Sequence, residues 1–123
     1  MRILLAEDEK DLNKIITARL KDEYYSVDSC FDGKEAEEYL TAVKYDAVIL
    51  DIMMPKKDGL QLCSEIKQDL RTGHIPVIII TAKSMVMHIK EGFQCGADDY
   101  IVKPFNMEVL LCRIRNILSL IHI

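Results

Sequence analysis

The polar residues with chemical capacity stand at recurring places in this sequence. Glu7-Asp8-Glu9 follow the apolar run Ile3-Leu4-Leu5-Ala6, and Asp51 follows Ala47-Val48-Ile49-Leu50. A hydroxyl, Thr81, follows Val77-Ile78-Ile79-Ile80, and an ammonium, Lys103, follows Tyr100-Ile101-Val102. Carboxylates gathered in one crevice repel one another, and at neutral pH a raised pKa or a bound cation relieves them. An oxygen-only donor set selects a hard cation. A few carboxylates with open water positions suit Mg²⁺, which bridges to phosphate oxygens, with Mn²⁺ as the alternative ion. A carboxylate, a divalent ion, a lysine and a hydroxyl together suit an aspartyl-phosphate. Asp51 is the nucleophile candidate because it ends the central run. Taken singly, each of these residues serves equally well as a turn former, a helix cap or a solvated loop charge. Their recurrence at four run ends is what favours chemistry.

Bringing these ends together is a matter of element order. The three continuous apolar runs suit central parallel strands covered on both faces. Ser26 to Cys30 and Tyr100 to Val102 read as strands nearer an edge. Between them lie helical patterns. Leu12, Ile15, Ile16, Ala18, Arg19 and Leu20 follow i, i+3, i+4 spacing, and Gly33–Val43, Gly59–Leu70 and Ser84–Cys95 repeat the pattern. Asn106–Ile121 carries the widest apolar stripe, with Asn106 as its N-cap; Gly96 is a stop for the helix before it. The order is strand then helix, five times. That predicts an α/β fold: an open, doubly wound, five-stranded parallel sheet with right-handed crossovers. Such sheets hold their sites beyond the C-terminal strand ends, at the point where strand order switches.

The bulk properties agree with one globular domain over residues 1–123. Half of the 123 residues are apolar and 29% are charged, which excludes a disordered or fibrous chain. A net charge of −4 argues against nucleic-acid contact by this surface. No apolar run reaches membrane-spanning length, and the N-terminus turns acidic too soon for a signal peptide, so a cytoplasmic location is expected. Cys30, Cys63, Cys95 and Cys112 have neither C-x-x-C nor zinc-ligand spacing, and are expected as buried or half-buried thiols in a reducing compartment.

Four blocks in order carry a resemblance that covers essentially the whole chain: residues 3–9, residues 48–59 (Val48-Ile49-Leu50-Asp51-Ile52-Met53-Met54-Pro55-Lys56-Lys57-Asp58-Gly59), residues 76–82, and residues 96–105 ending in Lys103-Pro104-Phe105. They resemble the receiver domain of two-component response regulators. The resemblance implies a flavodoxin-like sheet with strand order 2-1-3-4-5. It implies that Asp51 accepts a phosphoryl group from the phosphohistidine of a histidine kinase or phosphotransfer domain. Asp8, Asp51 and the Met53 carbonyl would hold Mg²⁺, with Glu7 contacting it mainly through water. Thr81 and Lys103 would bind phosphoryl oxygens, Tyr100 would be the switching aromatic, and the Lys103–Pro104 peptide would be cis. Met53 and Lys83 would flank the path of the water that hydrolyses the phosphate.

Asp98-Asp99-Tyr100 with Arg113 resembles the dimerising face of winged-helix transcriptional regulators, made of the fourth helix, fifth strand and fifth helix. Ile89 and Val109 stand where that class often has an opposed charge pair. The resulting apolar stripe, including Cys112 and Leu120 and joined by Met85 and Met87, reads as a partner surface, a homodimer through this face being one use of it, with ordinary scattered surface apolars as the alternative. The first half resembles such regulators. The segment Arg71–Pro76, Ala82-Lys83 and Phe105–Glu108 resemble receivers of hybrid sensor kinases. No output domain follows within the chain. An aspartate-nucleophile phosphatase is the enzymatic rival, but it needs an acid two residues after the nucleophile, and Met53 is there. A binding module that kept only the fold is the other rival; such modules usually lack a site residue. The expectation is therefore a switch, not a turnover enzyme.

Overall fold

The computed structural model describes residues 1–82 and 95–121, without the side chains of residues 120 and 121. Five strands, β1 (Arg2–Ala6), β2 (Ser26–Cys30), β3 (Ala47–Asp51), β4 (Val77–Ala82) and β5 (Asp99–Lys103), pair in parallel in the order β2-β1-β3-β4-β5. The helices described are α1 (Lys10–Asp22), α2 (Gly33–Ala42), α3 (Gly59–Gln68) and α4 (Met107–Ile121). The expected helix over residues 84–95, with Lys83, Met85, Met87 and Ile89, lies outside the described residues apart from Cys95, as does the side chain of Leu120.

Strand alternation divides the apolar residues between two layers. Ile3, Leu5, Ala47, Ile49, Ile78 and Ile80 pack with Ile16 and Leu20 of α1 and with Leu110, Leu111, Ile114 and Leu118 of α4. Leu4, Ala6, Val48, Leu50, Val77 and Ile79 pack with Ala36 of α2 and with Leu62, Cys63 and Ile66 of α3. Each central strand is thus apolar on both faces because both faces are covered, which is why these strands read as continuous runs rather than alternating ones.

Local signals set the helix starts. Asp32 caps α2 by accepting from the Glu35 amide at 2.8 Å, and Asp58 caps α3 by accepting from the Gln61 amide at 2.8 Å. The Asn106 carboxamide oxygen accepts from the Glu108 amide at 2.8 Å, as expected of a cap for α4. Gly96 adopts φ +93°, a conformation that favours glycine.

The structure corrects three readings. Asp51, Thr81 and Lys103 are in the last turns of the ladder rather than beyond it: Asp51 pairs with Ile80, Thr81 with Val102 and Ala82 with Lys103. Backbone pairing continues past the last apolar side chain because the ladder depends on the neighbouring strand, not on side-chain polarity. Helix α3 stops at Gln68, and Leu70 is fully exposed, because Asp69 turns extended and its carbonyl accepts from Gly73 N at 2.7 Å. Cys112 is exposed, whereas Cys30 and Cys63 are buried and Cys95 is half-buried.

Gly59, the first residue of α3, lies hard against the end of β3. A Cβ there would lie 2.1 Å from the Asp51 carbonyl oxygen, and the Gly59 amide donates to Ile52 O at 2.8 Å. Replacing it must push the loop off the strand. Gly59→Ala is expected to destabilise the fold by about 2–3 kcal/mol, the scale of an overpacked core, although alanine is the better helix former. Urea unfolding of the two proteins measures the difference; equal stability would contradict the close approach.

Candidate functional site: a buried carboxylate cluster at the sheet's C-terminal edge

The same alternation that fills the core aims the chemistry. Glu7 continues the row Ile3, Leu5; Asp51 continues Ala47, Ile49; Lys103 follows Ile101. All three extend the α1–α4 face past its last apolar layer. One carboxylate oxygen from each of Glu7, Asp8 and Asp51 lies within 4.8 Å of the others. Glu7 is wholly buried, Asp51 nearly so, and Asp8 is exposed. The Lys103 ammonium reaches between them, 2.7 Å from Glu7 Oε1 and 3.3 Å from Asp51 Oδ2.

One ammonium does not balance three acids. Burial, then hydrogen bonding and charge from Glu7, then hydrogen bonding with Asp8, push the Asp51 pKa up to about 8 against the pull of Lys103. Burial opposes the Lys103 ammonium, but its ion pairs with Glu7 and Asp51 outweigh that and hold its pKa above the ordinary lysine value. The short arm of the bridge goes to Glu7, which leaves Asp51 the less compensated acid.

The backbone around the acids is pinned. Glu9 N donates to Glu7 Oε2 at 3.0 Å, and Glu7 N donates to Cys30 O at 3.1 Å. Asn13, only 2% exposed, donates its carboxamide N–H groups to Glu7 O and to Cys30 O, both at 3.0 Å. Sequence reasoning missed Asn13. Its signal was available: it shares the buried stripe of α1 with Ile16 and Leu20, and a polar residue on such a stripe needs partners. On the other flank, Lys57 binds Glu37 of α2 and Glu65 of α3, the latter at 2.7 Å, and so ties the loop after β3 to both helices.

The remaining residues singled out from the sequence are placed as follows. Thr81 is buried, and its hydroxyl donates to Ala82 O at 3.3 Å. Tyr100 is half-buried against the α2–α3 layer. Met53 is 60% exposed at the rim, and the Lys103–Pro104 peptide is cis. Asp99 pairs with Arg113 within the chain, at 2.7 and 2.8 Å. Asp98 turns the other way, 2.8 Å from the Lys67 ammonium of α3 and accepting from Val77 N at 2.8 Å. Val109 is exposed on α4.

The donor set fits a hard divalent cation. Its side-chain donors are all carboxylate oxygens, and the buried Glu7 Oε1, paired in charge with the Lys103 ammonium, accepts no hydrogen bond among the described residues. Without a cation, the charge on Asp51 should cost stability. The unfolded chain releases this proton near pH 4, the ordinary aspartate range, whereas the folded chain holds it to higher pH. Between those values the folded state binds more protons, so stability falls as pH rises toward about 8. Chemical denaturation in chelator from pH 5 to 8.5 should show this decline. Asp51→Asn should flatten it and add about 1 kcal/mol or more at pH 8. A decline of equal slope in the variant would assign the effect elsewhere.

Comparison with known proteins agrees with this arrangement. The family model of the response regulator receiver domain matches residues 3–115. Response regulator ArlR of Staphylococcus saprophyticus is 46% identical over 117 residues, which is 95% of this chain and 52% of that protein. Transcriptional regulatory protein DltR of Streptococcus agalactiae is 47% identical over 116 residues, 94% of this chain and 50% of that protein. The chain thus spans about half the length of these curated relatives. Among solved structures, a two-component response regulator from Clostridium difficile superposes with a TM-score of 0.89 at 28% identity, over 97% of this chain and 96% of that one. The receiver domain of a sensor histidine kinase from Pseudomonas aeruginosa, which has a magnesium ion coordinated in its active site cleft, superposes at 0.88 with 29% identity, over 96% and 97% of the two chains. By its match from residue 3 to residue 115, its sheet order and its relatives, this chain belongs to the response regulator receiver domain family.

Proposed function

We propose that this chain is a phosphorylation-controlled switch that takes a phosphoryl group onto Asp51 with Mg²⁺. The observation that carries the reading is the convergence of Glu7, Asp8 and Asp51 around one ammonium at the switch point of the sheet. Glu7, Asp8, Asp51 and the Met53 carbonyl are the proposed metal residues. Bound Mg²⁺ supplies positive charge that keeps Asp51 ionised and shields phosphoryl oxygens from the acids.

In the proposed transfer, an Asp51 oxygen forms the new P–O bond as the P–N bond of a partner's phosphohistidine breaks. The imidazole nitrogen leaves with the bonding pair. Lys103 can then exchange its longer bond, that to Asp51, for a phosphoryl oxygen while keeping Glu7. The Thr81 hydroxyl, held among the described residues by a 3.3 Å bond to its neighbour's carbonyl, can turn to a second oxygen. Phosphorylation adds nearly two negative charges, enough to draw both donors. Space vacated by Thr81 is open to Tyr100, which shifts the population of packings around β5 and α4.

The proposed partners are a histidine kinase or phosphotransfer domain, and a second copy through β5, α4 and the segment containing Ile89. In a homodimer Asp99 and Arg113 would keep or exchange their present pairing, with Val109 supplying apolar contact. Residues 1–123 are read as the receiver unit itself, cytoplasmic, with no nucleic-acid or membrane contact of its own and no substrate turned over. Among the described residues, no helix is long and apolar enough to cross a membrane.

Treatment with a small acyl phosphate, followed by intact mass, tests the reading. The protein should take one acid-labile phosphate only with Mg²⁺, and Asp51→Asn should take none while remaining folded. Phosphate on the variant at the wild-type level, or incorporation that ignores Mg²⁺, would sink it.

The lifetime of that phosphate should depend on the rim. Met53 is bulky, exposed and unable to orient a water, and Lys83 is proposed to shield the other side. The phosphate should persist for minutes or longer. The double substitution Met53→Asn and Lys83→Ala should speed its loss roughly tenfold, about 1.4 kcal/mol in barrier. Loss of phosphoprotein after donor removal measures this; an unchanged half-life would place control of the water elsewhere.

A further inference from the structure

Asp8 is exposed and makes its contribution from a loop, yet the carbonyls of both its neighbours, Glu7 and Glu9, are held by one residue. The Asn13 side chain donates to Glu7 O at 3.0 Å, and the Asn13 backbone amide donates to Glu9 O at 2.9 Å. The second bond is available to any residue at this helix position except proline. The first is not. The buried carboxamide also donates to Cys30 O at 3.0 Å, the same oxygen that accepts from Glu7 N at 3.1 Å, and its own oxygen accepts from the Thr17 hydroxyl at 3.3 Å. Both N–H donors of Asn13 are therefore spent on fixing the loop that carries Glu7 and Asp8 against the end of β2.

The chemistry of the position is narrow. Two N–H donors on one short side chain are needed, at 2% exposure. Aspartate matches the shape but donates nothing when ionised, serine has a single donor, leucine has none, and glutamine is a methylene too long for a filled site. The stripe that Asn13 shares with Ile16 and Leu20 would be more stable with an apolar residue if burial were the only demand.

We infer that Asn13 is a positioning residue for the metal-binding acids: through the Glu7 carbonyl it sets the orientation of the Glu7–Asp8 peptide, and so the separation of Asp8 from Asp51. The inference rests on the Mg²⁺ reading of the site proposed above. It predicts that affinity for the cation follows the number of donors at position 13, independently of global stability.

The test is calorimetric titration of Mg²⁺ into the whole chain and into Asn13→Leu, Asn13→Ser and Tyr45→Phe, at a temperature where circular dichroism shows each folded. Tyr45→Phe is the stability control, because the Tyr45 hydroxyl donates to Asp28 at 2.6 Å near the opposite end of the sheet. Asn13→Leu should weaken Mg²⁺ binding roughly tenfold, the scale on which residues behind metal ligands act, with Asn13→Ser between it and wild type. Tyr45→Phe should leave affinity unchanged. In chelator, hydrogen exchange at the Glu7 amide should speed up in Asn13→Leu more than at the amides of β1. If Asn13→Leu does not fold, the serine variant alone decides by its affinity. Unchanged affinity in the folded Asn13 variants, or an equal loss in Tyr45→Phe, overturns the inference while the proposed function stands. A wild-type chain that binds no Mg²⁺ overturns both.

Discussion

A lysine shared by two buried carboxylates is the constraint on which this molecule turns. Lys103 bridges Glu7 and Asp51 at the end of the sheet, and a third acid, Asp8, stands beside them. Charges so placed are held at a cost, because burial penalises each ion and one ammonium cannot neutralise three acids. The raised pKa of Asp51 is the expression of that imbalance. A site in this state is ready to take up positive charge, and its acids cannot relax apart because two are carried on or next to strands in register.

The sheet supplies the rigidity. Glu7 and Asp51 extend rows of residues whose lower members are fully buried between sheet and helices. Moving either acid would mean breaking the parallel ladder or the α1–α4 layer beneath it. The loops are tied down separately. Asn13 holds the segment after β1, Gly59 lies against the Asp51 backbone, and Lys57 fastens the loop after β3 to α2 and α3. The electrostatic crowding is thus borne by packing and hydrogen bonds outside the cluster.

Within this frame the groups that bear on a switch are those with exchangeable partners. Among the described residues the Thr81 hydroxyl has one long bond to an adjacent carbonyl, and Lys103 has one short and one longer partner. Asp98, by contrast, is committed to Lys67 and to the Val77 amide on the far layer, so the two adjacent aspartates at the start of β5 have different roles. Asp99 alone faces Arg113. Among the described residues, that side carries α4 and one satisfied ion pair, rather than the pair of acids that the dipeptide suggests.

Much of this was legible in the residues. Three continuous apolar runs, alternating with amphipathic ones, suit a parallel sheet covered on both faces, because such a sheet buries both sides of each run and the intervening helices supply the crossovers. Asp51, Thr81 and Lys103 at the run ends, with Glu7-Asp8, mark one edge as the reactive one, because parallel strands deliver all their C-terminal ends to the same side. The strand pattern could not say how far the ladder extends past the apolar residues, since backbone pairing does not depend on side-chain polarity. Nor could it say that Leu70 is outside the helix or that Asp98 faces α3. Asn13 is legible as a polar residue on a buried stripe, but not its partners, because these are carbonyls of Glu7 and Cys30, and every residue has a carbonyl. Which acid the lysine approaches more closely is decided by distances of 2.7 and 3.3 Å that exist only once β1, β3 and β5 are folded into one sheet, and the raised pKa of Asp51 comes first from the burial that the same folding imposes.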